Sequence, residues 1–256
     1  MTNKDIYRIA MKQSSIDSNC AAADFLSDKN KIVISNRNPM ARKYLQLPFL
    51  CDFTSYGSNI VASISPELEE IVKEYLSAFC VEHCFETPNI HVLIEKLKPF
   101  NLNICFMAEY FLPDIEAIHP LPCAYEAKII TCSDFEPLYL PEWSNALCEK
   151  RKHLDKLAVG AFTNGKLIGL AGCSADCETM WQIGVDVLPE YRQQGIASCL
   201  TGKLAFEILA QNIVPFYCCA WSNIKSARNA IKSGFVPAWV QMTVKPNVFI
   251  ENMNKI

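Results

Sequence analysis

The stretch YRQQGIAS, Tyr191 to Ser198, has the residue types that suit the binding of an anion. Gly195 has no Cβ, so the backbone there can approach a ligand closely, and Arg192 adds a positive charge. Successive backbone N–H groups can form a concave anion site, particularly where a helix begins. The residues that could supply these groups are Gln193, Gln194, Gly195, Ile196 and Ala197. An ordinary strand-to-helix turn is the competing interpretation, and the stretch alone favours it.

The neighbouring elements decide where this stretch lies. MWQIGVDV, residues 180–187, predicts a strand, and Leu200, Leu204 and Ile208 repeat at helical spacing in a helix that begins near Ala197. YRQQGIAS therefore joins the end of a strand to the first turn of a helix. That turn carries unpaired N–H groups and the positive end of the helix dipole. The position therefore strengthens the interpretation as an anion site, and in particular as a site for a phosphate.

The rest of the C-terminal half predicts strand, helices, three strands, helix, strand, helix, strand. A strand starts at Ala127, and residues 133–147 suggest one or two helices interrupted by prolines. Asn164-Gly165 lies between two apolar runs, which is a strong hairpin signal. After the strand VPFYCCAW, Asn223 is expected to cap a short helix that Gly234 ends, and VPAWVQMTV predicts the last strand.

The combined pattern resembles the acetyl-CoA motif of the GCN5-related N-acetyltransferase (GNAT) family. Its first part is Val187-x-Pro189-x-x-Arg192-x-x-Gly195-x-Ala197, and its second is Asn223-x-x-Ser226 with Gly234-Phe235 at the end of the short helix. The resemblance covers about residues 126–245. The additional N-terminal part resembles the two-domain subgroup that includes zwittermicin-resistance acetyltransferases.

The resemblance implies a fold and a co-substrate. The fold is mixed α/β, with a mostly antiparallel sheet and flanking helices, preceded by an N-terminal α/β domain. The fourth and fifth strands splay apart, and unpaired backbone groups at Val185 and Val187 hold the pantetheine arm of acetyl-CoA as a missing strand would. The loop 192–198, which ends at Ser198, binds the pyrophosphate, while Asn223 and Ser226 also contact CoA. An amine of a small molecule or peptide then attacks the thioester directly.

Two positions depart from the family pattern. Many members carry a tyrosine seven residues after the asparagine, as the proton donor to the leaving thiolate, but Ala230 stands there. Ser226 is the nearest hydroxyl, and it is expected to bind CoA or to donate the proton, with binding favoured because serine is a weak acid. Many members also carry a base on the fourth strand, where this sequence has Ile183 and Trp181.

The general base therefore stays open. Asp186 should point to the other face of its strand and is expected to be structural or paired. Three further residues could act through water: Glu142, His153 and Glu178. Trp181 and Trp143 could line an acceptor pocket, although ordinary core packing is the favoured interpretation. These gaps leave two functions in view, an N-acetyltransferase and a weakly catalytic CoA-binding module that serves as a sensor or interaction protein.

Length and composition limit the remaining possibilities. The 256 residues suffice for two domains, which we place at 1–122, of unassigned role, and 123–256, the GNAT domain, with the proline-rich stretch 112–125 as linker. A net charge of −3 argues against nucleic-acid binding. No apolar run is long enough for a membrane span, and the start lacks the apolar core of a signal peptide, so we expect a cytoplasmic protein. It could form a homodimer.

The 13 cysteines are expected to be reduced and largely buried. Cys80, His83, Cys84 and His91 alone have the composition of a metal site. Their spacing fits a zinc knuckle poorly and continues a helical pattern, so no metal is predicted.

Overall fold

The computed structural model describes residues 1–255. Its strands are β1 (Lys31–Ile34), β2 (Cys51–Ser55), β3 (Val61–Ile64), β4 (Leu102–Pro113), β5 (Glu126–Thr131), β6 (Asp155–Thr163), β7 (Lys166–Ser174), β8 (Met180–Val187), β9 (Val214–Ala220) and β10 (Phe235–Pro246). Its helices are α1 (Asn3–Ser18), α2 (Glu69–Ala78), α3 (Thr87–Leu97), α4 (Ile196–Leu209), α5 (Ile224–Lys232) and α6 (Asn247–Met253). The fold is mixed α/β with mostly antiparallel strands, as predicted.

The chain forms two compact units that are not consecutive in sequence. Unit 1 comprises residues 1–10 and 111–237, and unit 2 comprises residues 11–110 and 238–256. This division differs from the single expected boundary at 122. The long strands β4 and β10 explain the difference, because each contributes one end to each core: Leu102 and Met242 lie in the core of unit 2, and Phe111 and Phe235 in that of unit 1. Composition along a chain does not reveal strands that are shared in this way.

Unit 2 is a sheet in the order β1-β3-β2-β10-β4, with β1 and β3 parallel. Helices α2 and α3 bury apolar faces in its core, where Val72, Tyr75 and Leu76 of α2 are buried. A short 3-10 turn follows Ser65 and begins at Pro66, and the Ser65 side chain makes no capping hydrogen bond. The serine therefore precedes the helix without capping it.

A buried carboxylate lies in the middle of the unit 2 sheet. Asp52 is 1% exposed and accepts hydrogen bonds from Gln241 Nε2 at 3.0 Å and from the hydroxyls of Thr243 and Thr54. Burial raises the pKa of Asp52 to about 6, although these hydrogen bonds act in the opposite direction. In the unfolded chain the same group titrates near 3.8. Ionisation of Asp52 therefore opposes folding.

We expect Asp52→Asn to remove part of the pH dependence of stability. Between about pH 4 and pH 6 the unfolded chain loses the Asp52 proton and the folded chain keeps it, so the free energy of unfolding falls as pH rises. The loss amounts to roughly 3 kcal/mol and is complete above the folded pKa. Urea unfolding from pH 4 to pH 7 measures this, with Asp28→Asn, at an exposed aspartate, as the control. Parallel pH profiles for wild type and Asp52→Asn would contradict the account.

Unit 1 contains the strand order β9-β8-β7-β6-β5, in which β8 and β9 are parallel and the other pairs antiparallel. The predicted hairpin joins β6 to β7, and both Asn164 (φ 48°) and Gly165 (φ 77°) are left-handed, as a type I′ turn requires. Helix α4 packs its predicted stripe, Leu200, Leu204 and Ile208, into the core of the unit. These elements position the loop that precedes α4.

Some local predictions were wrong or incomplete. Residues 133–147 form only short 3-10 turns, because Pro137 and Pro141 interrupt any longer helix. Among the described residues, no helix combines the length and apolar character that crossing a bilayer requires.

Candidate functional site

The loop before α4 has the geometry of an anion site. Gly195 is the N-cap of α4 with a left-handed φ of +80°, and Gln193 also has a positive φ of 63°. The first helical N–H with an acceptor in the chain is that of Cys199, which donates to Gly195 O at 3.1 Å. The preceding N–H groups, those of Ile196, Ala197 and Ser198, have no acceptor within the helix. A Cβ at Gly195 would meet only the Lys232 side chain, with Nζ at 3.8 Å.

Side-chain contacts hold this loop in place. Tyr125 donates a hydrogen bond of 2.6 Å to Gln194 Oε1, and its ring packs edge-on against Tyr191. Ser198 is buried, and its hydroxyl donates to Gly195 O at 3.0 Å. The Ser198 side chain therefore shapes the loop, while its backbone N–H has no acceptor within the helix.

Strands β8 and β9 separate immediately beside this loop. They pair with each other from Met180↔Val214 to Ile183↔Tyr217. Beyond this point β8 continues to Val187 and β9 to Ala220, but the two strands no longer pair with each other. This gap corresponds to the expected splay.

The outward backbone groups of β8 face the gap. Leu188 N–H donates to Ile168 O, the residue that precedes Gly169 on β7, at 3.0 Å. Backbone groups alternate along a strand, so those of Val187 and Val185 point away from β7. Arg192 Nε donates to Val187 O at 2.9 Å. The carbonyl oxygen of Val187 is thus already hydrogen-bonded to Arg192, the side chain that was expected at the mouth of the phosphate site.

Asn223, Ser226 and an unexpected tyrosine meet at the other side of the gap. Asn223 Oδ1 accepts from the Ser226 N–H at 3.2 Å, which confirms the predicted cap of α5, and Gly234 follows the helix with a φ of +88°. The hydroxyls of Ser226 and Tyr217 are 2.8 Å apart. Burial raises the pKa of Tyr217, which outweighs the hydrogen bonds with Ser226 and Asn229, so the phenol stays protonated at neutral pH.

Tyr217 is the residue that sequence reasoning missed. A tyrosine was sought on α5, where Ala230 is buried, but Tyr217 belongs to the last paired position of β9. The alternation of VPFYCCA could have indicated that Tyr217 and Cys219 share a face, and both lie in the core of unit 1. That its hydroxyl would reach Ser226 depends on how α5 packs.

The second face of β8 is covered by residues 143–147. Gly172 and Gly184 are paired across β7 and β8, and a Cβ at either would overlap a backbone oxygen of this segment, of Ala146 and Asn145 respectively. Asp186 accepts hydrogen bonds from the N–H groups of Asn145 and Ala146 at 2.9 and 3.0 Å. Asp186 is therefore structural, as expected, and holds residues 143–147 against Gly172 and Gly184.

The proposed base positions carry no proton acceptor. Ile183 is 2% exposed in the core beneath α4, and Trp181 packs against the same core. Trp143 is buried in a separate apolar cluster with Phe135 and Leu147, which supports its interpretation as a core aromatic.

The other candidate bases are exposed. Within residues 1–255, the side chains of Glu142, His153 and Glu178 make no hydrogen bond or ion pair, so contacts do not select among them. No cluster of three metal-binding side chains occurs in the same range, and Cys84 is buried, with its Sγ 3.8 Å from Phe79 O.

Several solved structures that are similar to this chain are described as GNAT proteins. A GCN5-related N-acetyltransferase-like protein from Streptococcus suis is 21% identical, with 60% of this chain and 66% of that one covered, at a TM-score of 0.44. A GNAT-family acetyltransferase from Colwellia psychrerythraea is 16% identical over 56% and 57%, at 0.43. A tandem GNAT protein from the clavulanic acid biosynthesis pathway is 10% identical over 96% and 97%, at 0.48. The first two alignments thus span less than two thirds of those chains.

No curated protein sequence matches the chain. The model of the GNAT acetyltransferase family matches residues 94–238, which is more than half of the 256 residues. This range contains the loop before α4, the gap between β8 and β9, and α5. The chain belongs to the GNAT acetyltransferase family.

Proposed function

We propose that the protein transfers the acetyl group of acetyl-CoA to a primary amine of a small molecule or peptide, by direct attack while both substrates are bound. The observation that carries the proposal is the gap between β8 and β9, which opens beside an anion-binding helix start. Acetyl-CoA is the co-substrate, as in the family to which the chain belongs.

The residues present fit CoA. The missing Cβ at Gly195, whose place is bordered only by the Lys232 side chain, and the N–H groups of the first turn of α4 suit a pyrophosphate. The outward backbone N–H and C=O of Val185 and the N–H of Val187 suit hydrogen bonds with the amides of a pantetheine arm. The arm would then take the place of an added strand. The proposed binding residues include those of the loop: Arg192, Gln193, Gln194, Gly195, Ile196, Ala197 and Ser198. Asn223 and Ser226 border the end of the gap.

The chemistry follows from positioning. When bound, acetyl-CoA supplies an activated acetyl group. Outward N–H groups of β8 polarise its carbonyl and stabilise the negative charge that develops on the oxygen. The protein holds the amine and the thioester together, and this contributes much of the acceleration. The amine reacts in its neutral form: its nitrogen forms the new bond to the acetyl carbon, the C–S bond breaks, and CoA leaves as its thiolate. The nitrogen loses its proton to water or to one of Glu142, His153 and Glu178.

Ser226 is proposed chiefly as a ligand of CoA. We expect Ser226→Ala to weaken CoA binding about threefold to tenfold, because one uncharged hydrogen bond is lost. Turnover at saturating acetyl-CoA should change little. Calorimetric titration of CoA and steady-state rates measure the two effects, with Ser222→Ala, at an exposed serine outside α5, as the control. A large loss of turnover at unchanged CoA affinity would instead make Ser226 the proton donor.

A second function is favoured by the residues at Ile183, Trp181 and Ala230. A CoA-binding module without a base or an acid at these positions would serve as a sensor or an interaction protein. Both functions need the phosphate loop, so only turnover separates them.

The decisive experiment is thiol release from acetyl-CoA with a panel of polyamines, amino acids, aminoglycosides and peptides. Amine-dependent release, with the acetylated amine identified by mass spectrometry, supports the transferase. CoA binding without release on any acceptor favours the sensor. The amine class of the acceptor, a homodimer and the two-domain subgroup remain predictions.

A further inference from the structure

We propose that Lys232, at the end of α5, binds the pyrophosphate of CoA across the loop from Gly195. This inference rests on the proposed CoA site and adds a residue that belongs to neither part of the sequence motif. It makes α5 a direct contributor to phosphate binding.

The distance between Lys232 and the loop is the first observation. A Cβ built on Gly195 would lie 3.8 Å from Lys232 Nζ, and no other atom beyond the neighbouring residues comes within 4 Å of it. The ammonium group therefore borders the space that the glycine leaves open. A phosphate placed against the N–H groups of α4 would lie within reach of Lys232.

The second observation is the charge around this space. Helix N-termini are partially positive and are commonly stabilised by an acidic residue, but the first turn of α4 has none. Within residues 1–255, Lys232 makes no ion pair. The positive end of the α4 dipole and the Lys232 ammonium group thus both lie near Gly195. A bound pyrophosphate would interact favourably with both positive groups.

The third observation is the arrangement of α5. Lys225, Arg228 and Lys232 are exposed and lie on one helix face, because they are separated by three and four positions. This face is next to Asn229, whose side chain donates to Thr201 Oγ1 of α4. The helix runs from Ser226, at the end of the β8–β9 gap, to Lys232, at the phosphate loop. It therefore follows the direction that an extended CoA molecule would take.

The test compares Lys232→Gln with Lys225→Gln, which removes the same charge from the same helix about two turns away. Binding of CoA, dephospho-CoA and pantetheine to the full-length protein is measured by calorimetry. We expect Lys232→Gln to weaken CoA and dephospho-CoA equally, by about tenfold, since one charge-assisted contact is lost. Pantetheine has no phosphate and should bind both variants as it binds wild type. The affinity of Lys232→Gln for CoA should also depend less on salt.

Four outcomes would overturn the inference. Equal CoA affinities for the two variants would show that Lys232 makes no specific contact. A penalty seen with CoA and lost with dephospho-CoA would place the lysine on the 3′-phosphate instead. Wild-type protein that binds none of the three ligands would remove the CoA site, and the proposed function would fall with it. Wild-type CoA binding with an unaffected Lys232→Gln would overturn the lysine assignment alone.

Discussion

Gly195→Glu is expected to abolish measurable CoA binding, with a loss of at least about a hundredfold. The new side chain would enter the space that Gly195 leaves at the start of α4, and its carboxylate would repel the pyrophosphate. It would also lie close to Lys232 Nζ and could neutralise it. Calorimetric titration of CoA measures the effect, and circular dichroism shows whether the fold is kept.

Gly195→Ala is the matched control for backbone strain. Both variants place a side chain at a φ of +80°, which costs about 1 kcal/mol, but alanine adds no charge and little volume. We expect alanine to keep measurable binding and glutamate to lose it. If Gly195→Glu binds CoA as wild type does, the loop is not the phosphate site.

Gly184→Ala should have the largest effect on stability. Its Cβ would overlap the Asn145 carbonyl oxygen, so the segment 143–147 would have to leave the sheet. That displacement would break the hydrogen bonds to Asp186 and open the cluster that buries Trp143. We expect the free energy of unfolding to fall by about 3 kcal/mol or more, measured by urea unfolding.

Gly202→Ala provides the comparison. Gly202 lies within α4, where a Cβ would meet the Ser233 carbonyl oxygen at 3.7 Å, an ordinary contact. Alanine also favours the helix by up to about 1 kcal/mol, so stability should be unchanged or higher. Similar stabilities for Gly184→Ala and Gly202→Ala would mean that the segment adapts easily and that Gly184 is not required for its position.

The predictable parts of the fold are those with local causes. Asn164-Gly165 specifies its hairpin because both residues tolerate positive φ, and Asn223 and Gly234 mark the ends of α5 because their capping chemistry acts within a few residues. The start of α4 was predictable for the same reason. Helices expected in 133–147 are absent because closely spaced prolines allow only short turns.

The remaining features depend on contacts between distant residues. No local signal shows that β4 and β10 each serve two cores, so the expected boundary at 122 could not reveal the observed units. The hydrogen bond between Tyr217 and Ser226 requires α5 to pack over the end of β9. Lys232 reaches Gly195 for the same reason. The sequence motif thus predicts what the loop binds, and the packing indicates which other side chains are near enough to take part.

The most direct test of the central claim is a crystal structure of the full-length protein with CoA. The account predicts that the pyrophosphate oxygens accept hydrogen bonds from the N–H groups of the first turn of α4. It also predicts that the pantetheine arm lies between β8 and β9, with its amides on the backbone of Val185 and Val187. CoA bound elsewhere, or a pyrophosphate that does not contact the Gly195 loop, would contradict it.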